Sequence, residues 1–350
     1  MGFWVFCKKL IFILPVLMVF VSSGIAYQST GNLTNKSVKE KISFMETPLK
    51  ISQITFSKDN KSIAVLAGDS LVSVWDTRDC KLLAKRVFEK TPITTLAWNL
   101  ESDELLAGTN HSILMRLSSL DLNCQEKIKT PLEVISHVVN FGRPCQFGVI
   151  GAFHNIASAM KPSLFLANGI EHELMEIHPG DSSFTSLQQT GSVFFAVTPI
   201  GDLYELNHLL EHGSKPIISL NRPVGVIKAG GGKIALGCDG GLICLIKQND
   251  SLEVKNLMIS NKPIRSLELT KDGKTIFVAL GNEKIQVIDV ETMQPRTQLV
   301  SVQEMIACMA LSEDGKTLAA GTSQGSVVLW NLEDLQVKTI LPAGSLSHSN

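Results

Sequence analysis

Apolar and polar residues alternate in short runs along most of the chain, and Gly, Asp and Asn separate the runs. Residues 70–76 read SLVSVWD, and residues 326–331 read SVVLWN. Short runs rich in β-branched and aromatic side chains, each ended by turn residues, are typical of β-strands joined by hairpins. No apolar period of 3.6 residues extends beyond two helical turns. The pattern predicts an all-β chain.

The runs belong to a repeating unit. Residues 267–277 (LELTKDGKTIF) and 309–319 (MALSEDGKTLA) follow one template at an offset of 42 residues, since 309 − 267 = 42. From Trp75 to Trp330 the chain advances 330 − 75 = 255 residues in six steps, which gives seven units. Further copies of the template open at Ile54, Leu96 and Val226, with weaker ones at 137–166 and 186–207.

Each unit has room for four strands. A four-stranded sheet cannot bury both of its faces alone, so neighbouring units must stack, and a closed ring protects their edges. The sequence therefore predicts a seven-bladed β-propeller of four-stranded antiparallel blades over residues 42–341, followed by a C-terminal tail at 342–350. Two segments could supply the closing strand of the ring: Lys41–Met45 (KISFM) and Gln336–Leu341 (QVKTIL).

The third strands carry a resemblance. Val-Trp-Asp at 74–76, Leu-Trp-Asn at 329–331, Val-Ile-Asp at 287–289 and the Ser-x-Asp-Gly-Lys turn at 312–316 resemble the WD-repeat family, with degenerate repeats. The resemblance implies structural roles for Trp75, Asp76, Asp289, Trp330 and Asn331. The Gly-His pair of that family is absent throughout. A related propeller without WD repeats is therefore the alternative.

The N-terminus predicts export. Lys8 and Lys9 precede an apolar stretch at 10–21, and Gly24 and Ala26 have the small side chains of a signal-peptidase site. We expect residues 1–26 to be a signal peptide, residues 27–41 a flexible tether, and the mature protein to be secreted or periplasmic. Because residues 3–6 are also apolar, an uncleaved membrane anchor is the alternative. Five sequons would accept glycans only in a eukaryotic secretory pathway: Asn32, Asn35, Asn60, Asn110 and Asn249.

Charge and cysteine content narrow the function classes. The 350 residues include 32 basic and 33 acidic side chains, so no overall positive charge favours nucleic acid as a partner. Six cysteines follow the predicted signal, and no CxxC or clustered spacing appears among them. A core of this size does not need disulfide bonds, and buried free thiols are the main expectation.

Four motifs resemble catalytic or ligand-binding sites. Gly321–Gly325 matches G-x-S-x-G, but a nucleophile elbow needs a strand that turns into a helix, and both flanks here are predicted strands. The glycines at 230–232 precede Lys233 in a predicted hairpin and lack the spacing of a phosphate loop. His172 and Glu173 lack the second histidine at 176 that a zinc-protease motif needs, since His178 comes two residues too late. His208 and His212 lie in a polar connector. We expect no catalytic residue, no metal and no cofactor.

The third unit is longer than the others between its second and third strands. The extra residues lie around 153–161, on the side of a blade where links between blades also emerge. WD-repeat propellers commonly bind partners on this side, and loops on rigid scaffolds commonly carry binding residues. We predict a partner-binding site that includes Phe153, His154, Asn155, Met160 and Lys161.

Together these observations predict an extracytoplasmic WD-like propeller that acts as a non-catalytic scaffold for an unidentified protein partner. A propeller can also host an active site whose residues come from several blades and leave no linear motif. The alternative is therefore a secreted propeller enzyme, or a module that binds carbohydrate or another small ligand in the central channel. A membrane would be a partner only if the N-terminal segment stays uncleaved.

Overall fold

The computed structural model divides the chain into two units, Met1–Met45 and Glu46–Asn350. All described residues lie in the second unit, so the predicted signal peptide, the predicted tether and Lys41–Met45 fall outside them. The described ranges are 48–99, 103–140, 146–154, 160–168, 173–177, 184–190, 193–206, 215–248, 252–264, 266–282, 284–300 and 303–346. Among them, no helix is long and apolar enough to cross a membrane.

The described part of the chain is almost entirely β-structure, with one short 3-10 turn at Asp239–Gly241. The strands of the first four sheets are β1 Ile51–Phe56, β2 Ser62–Ala67, β3 Leu71–Asp76, β4 Leu82–Val87, β5 Ile93–Trp98, β6 Glu104–Thr109, β7 Ile113–Ser118, β8 Cys124–Lys129, β9 Val134–Asn140, β10 Gln146–His154, β11 Met160–Asn168, β12 Glu173–Ile177, β13 Ser186–Thr190, β14 Val193–Val197, β15 Asp202–Leu206 and β16 Ile218–Ser219. The remaining strands are β17 Val224–Gly230, β18 Lys233–Cys238, β19 Leu242–Gln248, β20 Leu252–Met258, β21 Leu267–Leu269, β22 Thr275–Ala279, β23 Lys284–Asp289, β24 Gln294–Val300, β25 Ile306–Leu311, β26 Thr317–Thr322, β27 Val327–Asn331 and β28 Gln336–Leu341.

Each set of four consecutive strands pairs in sequence order as one antiparallel sheet. The first strands of neighbouring sheets contact each other all the way around, and β25 of the last sheet contacts β1 of the first. These contacts close the ring, with the first strands at its centre and the fourth strands at its rim. Because the strands alternate in direction, turns between second and third strands lie on the same side as the links between sheets. We call this side the link face and the other the opposite face.

The prediction of a seven-bladed propeller needs a correction. Backbone pairing gives seven four-stranded sheets, but the described hydrophobic clusters join neighbouring sheets at six interfaces, and none joins the third sheet to the fourth. In the third sheet the side chains are described only at the start of β9, up to Val138. The third sheet packs on the second through Ile135 and Val138, and beyond Val138 only its backbone is described. The structure thus shows six blades with a described packed core, not the seven predicted.

The interior strands explain the described core. Second and third strands such as Ser62–Ala67 and Leu71–Asp76 are buried at nearly every position, because neighbouring sheets cover both of their faces. Fourth strands such as Gln294–Val300 are mostly exposed and polar. Near-continuous apolar runs in the interior and polar runs at the rim are the expected pattern for sheets stacked around a ring.

Gln336–Leu341 forms the fourth strand of the last sheet, which resolves the choice left open by the sequence for this position. The residues after it fasten the first sheet to the last. The Leu49 amide donates to the Gly344 carbonyl at 2.9 Å, and the Gly344 amide donates to the Gly325 carbonyl at 2.7 Å. Lys85 Nζ donates to the Ser345 carbonyl at 2.7 Å. Ala343 is buried in the cluster between these two sheets.

Candidate interaction face

The long second-to-third connection forms a β-ribbon. Strands β10 and β11 have nine residues each, and they pair without interruption from Gln146 with Asn168 to His154 with Met160. Strand β9 pairs only as far as Ala152, and β12 only as far as Leu164. The end of the hairpin therefore extends beyond the four-stranded sheet as a two-stranded ribbon on the link face.

The structure brings four of the five predicted partner-binding residues together in this ribbon. Phe153 pairs with Lys161, and His154 pairs with Met160. Asn155 lies outside the described residues. The sequence predicts a loop at this position, whereas the backbone is strand up to the last described pair. An extended antiparallel pair is a stiffer platform for binding than a loop of the same length, because its backbone hydrogen bonds are already formed.

Exposed apolar side chains lie on the same face. The 2–3 turn of the fourth sheet exposes 61% of Ile200, and the link before the last sheet exposes 57% of Met305. The link-face ends of three fourth strands add Val87, Met258 and Val300. Exposed large apolar side chains are common on surfaces that bind other proteins. Others, such as Leu120 and Leu335, lie in turns on the opposite face. We call the five residues on the link face the apolar rim; the sequence repeat gave no signal for them.

The repeat positions quoted for the resemblance lie at the ends of third strands, on the opposite face. Trp75 Nε1 donates to Ser73 Oγ at 2.9 Å, and Trp330 is fully buried in the core. Asp76 Oδ1 accepts hydrogen bonds from the amides of Arg78 (2.8 Å) and Asp79 (2.7 Å). These contacts organise the turn into the fourth strand and leave the side chains no part in the link face.

Asp289 and Asn331 act in the same way. Asn331 Oδ1 accepts from the Glu333 amide at 3.0 Å, and Asp289 Oδ1 accepts from the Thr292 amide at 2.8 Å. The Thr292 amide, together with the Thr292 hydroxyl and Arg296, holds the pKa of Asp289 below its usual value. Side chains that cap their own turn in this way are structural.

The turns between first and second strands repeat one arrangement, which explains the Ser-x-Asp signature. Ser312 Oγ donates to Asp314 Oδ1 at 2.6 Å, and Asp314 Oδ1 accepts from the Lys316 amide at 3.0 Å. The hydroxyl also accepts from the Thr317 amide at 2.9 Å. The same network forms around Asp59 and Asp272.

A buried ion pair lies at the inner edge of the ring. Lys228 on β17 and Glu268 on β21 are 2.8 Å apart between neighbouring first strands. Burial raises the pKa of Glu268 even though Lys228 opposes the shift. In the next sheet, burial raises the pKa of the Cys308 thiol to about 12, so this thiol is unreactive at neutral pH. This is the group of titratable side chains most relevant to a central-channel site, and its two charges are paired with each other.

Other polar side chains join neighbouring sheets. The Gln53 side chain donates to the Leu96 carbonyl and accepts from the Leu96 amide, both at 2.8 Å, and so replaces a pair of strand hydrogen bonds between the first two sheets. Asn60 Oδ1 accepts from the Glu313 amide at 2.8 Å across the closing interface of the ring. No motif in the sequence predicts either bridge, because each bridge joins residues from different repeats.

Asn60 is also a sequon, and its side-chain oxygen is occupied by this bridge. Asn110 is exposed in a turn on the link face, and the other three sequons lie outside the described residues. The described cysteines carry free thiols: Cys80, Cys124, Cys238, Cys244 and Cys308.

Two of the rejected motifs are found in hairpins. Gly321–Gly325 spans the end of β26 and the turn into the antiparallel strand β27, so it lacks the helix that a nucleophile elbow requires. The glycines before Lys233 form the tight turn between β17 and β18. The remaining candidates His172, His178, His208 and His212 lie outside the described residues. Within the described ranges, no group of three or more His, Cys, Asp or Glu side chains could hold a metal ion.

Residues 297–331 match the family model "WD domain, G-beta repeat". No curated protein matches the chain in sequence. Among solved structures, the β-propeller domain of Cps50 (Swd1) from Myceliophteria thermophila is similar, with a TM-score of 0.67 and 14% identity. The similarity covers 82% of this chain and 98% of that domain. At this identity the structural likeness shows the fold.

The matched repeat begins in β24, the fourth strand of one sheet, and ends with β27, the third strand of the next. One sequence repeat therefore spans two neighbouring sheets and couples them covalently. The resemblance to the WD-repeat propellers is confirmed by this repeat together with the propeller fold. WD-repeat propellers are typically protein-interaction scaffolds, generally without enzymatic activity.

Proposed function

We propose that this propeller is a non-catalytic scaffold that binds a protein partner through its link face. The observation that carries the proposal is the two-stranded ribbon of the third sheet, in which β10 and β11 extend beyond their flanking strands β9 and β12 on that face. The apolar rim supports it, because a partner that covers these side chains removes apolar surface from water. The ribbon would supply specific contacts and the rim would supply buried area.

The partner site is proposed to include Phe153, His154, Met160 and Lys161, together with Asn155 at the tip. A variant that joins Ala152 to Pro162 through Asn-Gly tests this role, since these two residues are paired and a two-residue turn can connect them. A second variant, Met305→Asp, places a charge in the apolar rim. The matched control is Leu120→Asp, because Leu120 is 81% exposed but lies in a turn on the opposite face.

The test is affinity purification of the mature chain from its native compartment, with identification of the proteins recovered. We expect a partner that the wild type and Leu120→Asp recover equally, and that the ribbon variant and Met305→Asp recover at least tenfold less. A tenfold loss corresponds to about 1.4 kcal/mol of binding free energy. Equal recovery by all four proteins would refute binding through the link face.

We further propose that the protein acts outside the cytoplasm after removal of residues 1–26. The proposal rests on the basic start, the apolar stretch and the small residues at Gly24 and Ala26. N-terminal sequencing of exported protein should give a chain that begins at Tyr27. A chain that keeps Met1 and remains with membranes would favour the anchored adaptor instead. Turnover of a substrate, or a ligand that binds the Lys228–Glu268 region, would favour the enzyme or small-ligand alternative.

A further inference from the structure

Two cysteines contact each other at the link-face end of the fifth sheet. Cys238 is the last residue of β18 and Cys244 lies in β19, and their sulfur atoms are 3.7 Å apart. Leu236 pairs with Cys244 in the ladder, and Cys238 lies two residues further along β18. Because side chains two residues apart in a strand point to the same face, both thiols lie on one side of the sheet.

The protein encloses both thiols. Cys238 is 0% exposed and Cys244 is 2% exposed, within the cluster between the fourth and fifth sheets. The cluster contains large apolar side chains such as Phe195 and Leu203. The remaining described cysteines, Cys80, Cys124 and Cys308, belong to other sheets or their turns. Each sulfur of the pair therefore has the other as its cysteine neighbour.

Charge favours reactivity at one of the two sulfurs. Cys238 donates its S–H to Cys244, which lowers the pKa of Cys244, and the positive charge of Arg222 acts in the same direction. The thiolate is the attacking species in thiol–disulfide exchange. This difference favours Cys244 as the thiol that attacks first and Cys238 as the thiol that resolves a mixed disulfide formed on it.

We propose that Cys238 and Cys244 form a disulfide within the β18–β19 hairpin when the chain folds in the presence of a disulfide oxidant. The Cys244 thiolate attacks one sulfur of a small disulfide such as oxidised glutathione and releases one glutathione thiolate. The Cys238 thiolate then attacks the Cys244 sulfur, forms the Sγ–Sγ bond and releases the second glutathione thiolate. The two cysteines lose two protons and two electrons, and oxidised glutathione gains both to become two molecules of reduced glutathione.

Bond formation requires a short local movement. The sulfur atoms must approach from 3.7 Å to about 2.05 Å. The turn between the strands, Asp239–Gly241, contains two glycines with positive φ, Gly240 and Gly241. The bond would fix this turn, which lies on the link face of the fifth sheet.

The location of the pair makes the product easy to detect. Lys233 and Lys247 are the nearest basic residues on either side, so trypsin releases both cysteines in one peptide, Ile234–Lys247. The full chain is refolded in a glutathione redox buffer, its free thiols are alkylated under denaturing conditions, and it is digested. We expect a peptide without alkyl groups that is lighter than the reduced peptide by two hydrogen atoms. Reduction before alkylation should convert it to a doubly alkylated peptide.

If the contact between the two sulfur atoms promotes the disulfide, the bond must form more favourably in the folded chain than in the unfolded chain. The same oxidation in urea measures the tendency of the unfolded chain to form it. At one glutathione ratio, we expect the equilibrium constant for the disulfide to be at least tenfold larger in the folded chain, a difference of about 30 mV in potential. An equal or smaller constant in the folded chain would overturn the proposal, as would glutathione adducts or bonds to other cysteines as the main products.

Variants provide a further check. Cys238→Ala should leave Cys244 alkylated or bound to glutathione, because the resolving thiol is gone. Cys80→Ser is the matched control, since it removes a partly exposed cysteine from the first sheet and should leave the hairpin disulfide unchanged. Loss of the disulfide in Cys80→Ser would show that the pairing is not between Cys238 and Cys244.

Discussion

Glu268 shows how strongly the surroundings of one residue set its charge. It is buried beside Lys228, and burial raises its pKa above the ordinary value of 4.5. Because the pKa is raised, the folded protein keeps this proton at a pH at which the unfolded chain has already released it. The contribution of the protonated carboxyl to stability is therefore complete below about pH 4 and is lost as pH rises through the folded-state pKa.

We predict that the free energy of unfolding of the wild type falls relative to that of Glu268→Gln as pH rises from about 4 to about 7. The amide does not titrate, so it does not share this loss. Denaturant unfolding of both proteins across this range measures the difference. Glu89→Gln, at an exposed position, controls for the loss of one carboxylate. If the wild type instead gains stability relative to Glu268→Gln as pH rises, the charge of Lys228 outweighs burial and the pKa of Glu268 is lowered.

The sequence did not indicate this pair. The turn between β17 and β18 is shorter than the turn between β21 and β22. When the two repeats are aligned in sequence on the Gly-Lys pair of each turn, Lys228 is therefore matched with Leu269 and not with Glu268. Strand pairing shows the true equivalence, since Lys228 pairs with the third residue of β18 and Glu268 pairs with the third residue of β22. Lys228 and its strand partner enclose six residues and Glu268 and its partner enclose eight, and this difference in turn length is enough to hide a contact between neighbouring sheets.

At the scale of the element, second strands approach the next sheet closely where a glycine ends the apolar run. A Cβ placed on Gly321 would lie 2.3 Å from Ile51 Cγ2, and one placed on Gly108 would lie 2.6 Å from Ile135 Cγ2. Both isoleucines are fully buried. The recurring Ala-Gly at this position of the repeat therefore reflects space between sheets as well as turn formation.

We predict that Gly321→Ala destabilises the protein by about 1 to 3 kcal/mol, because the added methyl group overpacks a rigid interface. Thermal or denaturant unfolding measures the loss. Adding Ile51→Leu, which lacks the Cγ2 methyl, should restore part of the stability, and Gly108→Ala should behave like Gly321→Ala. Unchanged stability of Gly321→Ala would show that the sheets can separate at low cost.

At the scale of the whole molecule, closure of the ring depends on residues at both ends of the described chain. WD-repeat propellers commonly complete their last sheet with an N-terminal strand, whereas here Gln336–Leu341 supplies that strand. The closing interface is held by the cluster that contains Ile51 and Val327, by the Leu49–Gly344 hydrogen bond and by the Asn60 bridge. Residues 342–346 thus take part in closing the ring.

We predict that truncation after Leu341 lowers the free energy of unfolding by about 2 to 4 kcal/mol, from two lost backbone hydrogen bonds and the exposed apolar surface of the closing cluster. Truncation after Leu346 is the matched control and should leave stability unchanged. Circular dichroism during thermal unfolding distinguishes the two. Identical unfolding of both truncated chains would show that residues 342–346 do not hold the ring closed.

The sequence alone determined the strand content, the period of about 42 residues and the propeller class, because alternation and turn residues are local features that each repeat carries. It also located the long connection of the third unit. Tertiary structure decided that this connection is a ribbon, that a packed core is described for six blades, and that Gln336–Leu341 is the fourth strand of the last sheet. It also decided which side chains meet across sheets, such as Lys228 with Glu268 and the apolar rim. These contacts join residues from different repeats or strands, and their distances depend on how sheets twist and stack rather than on any local pattern.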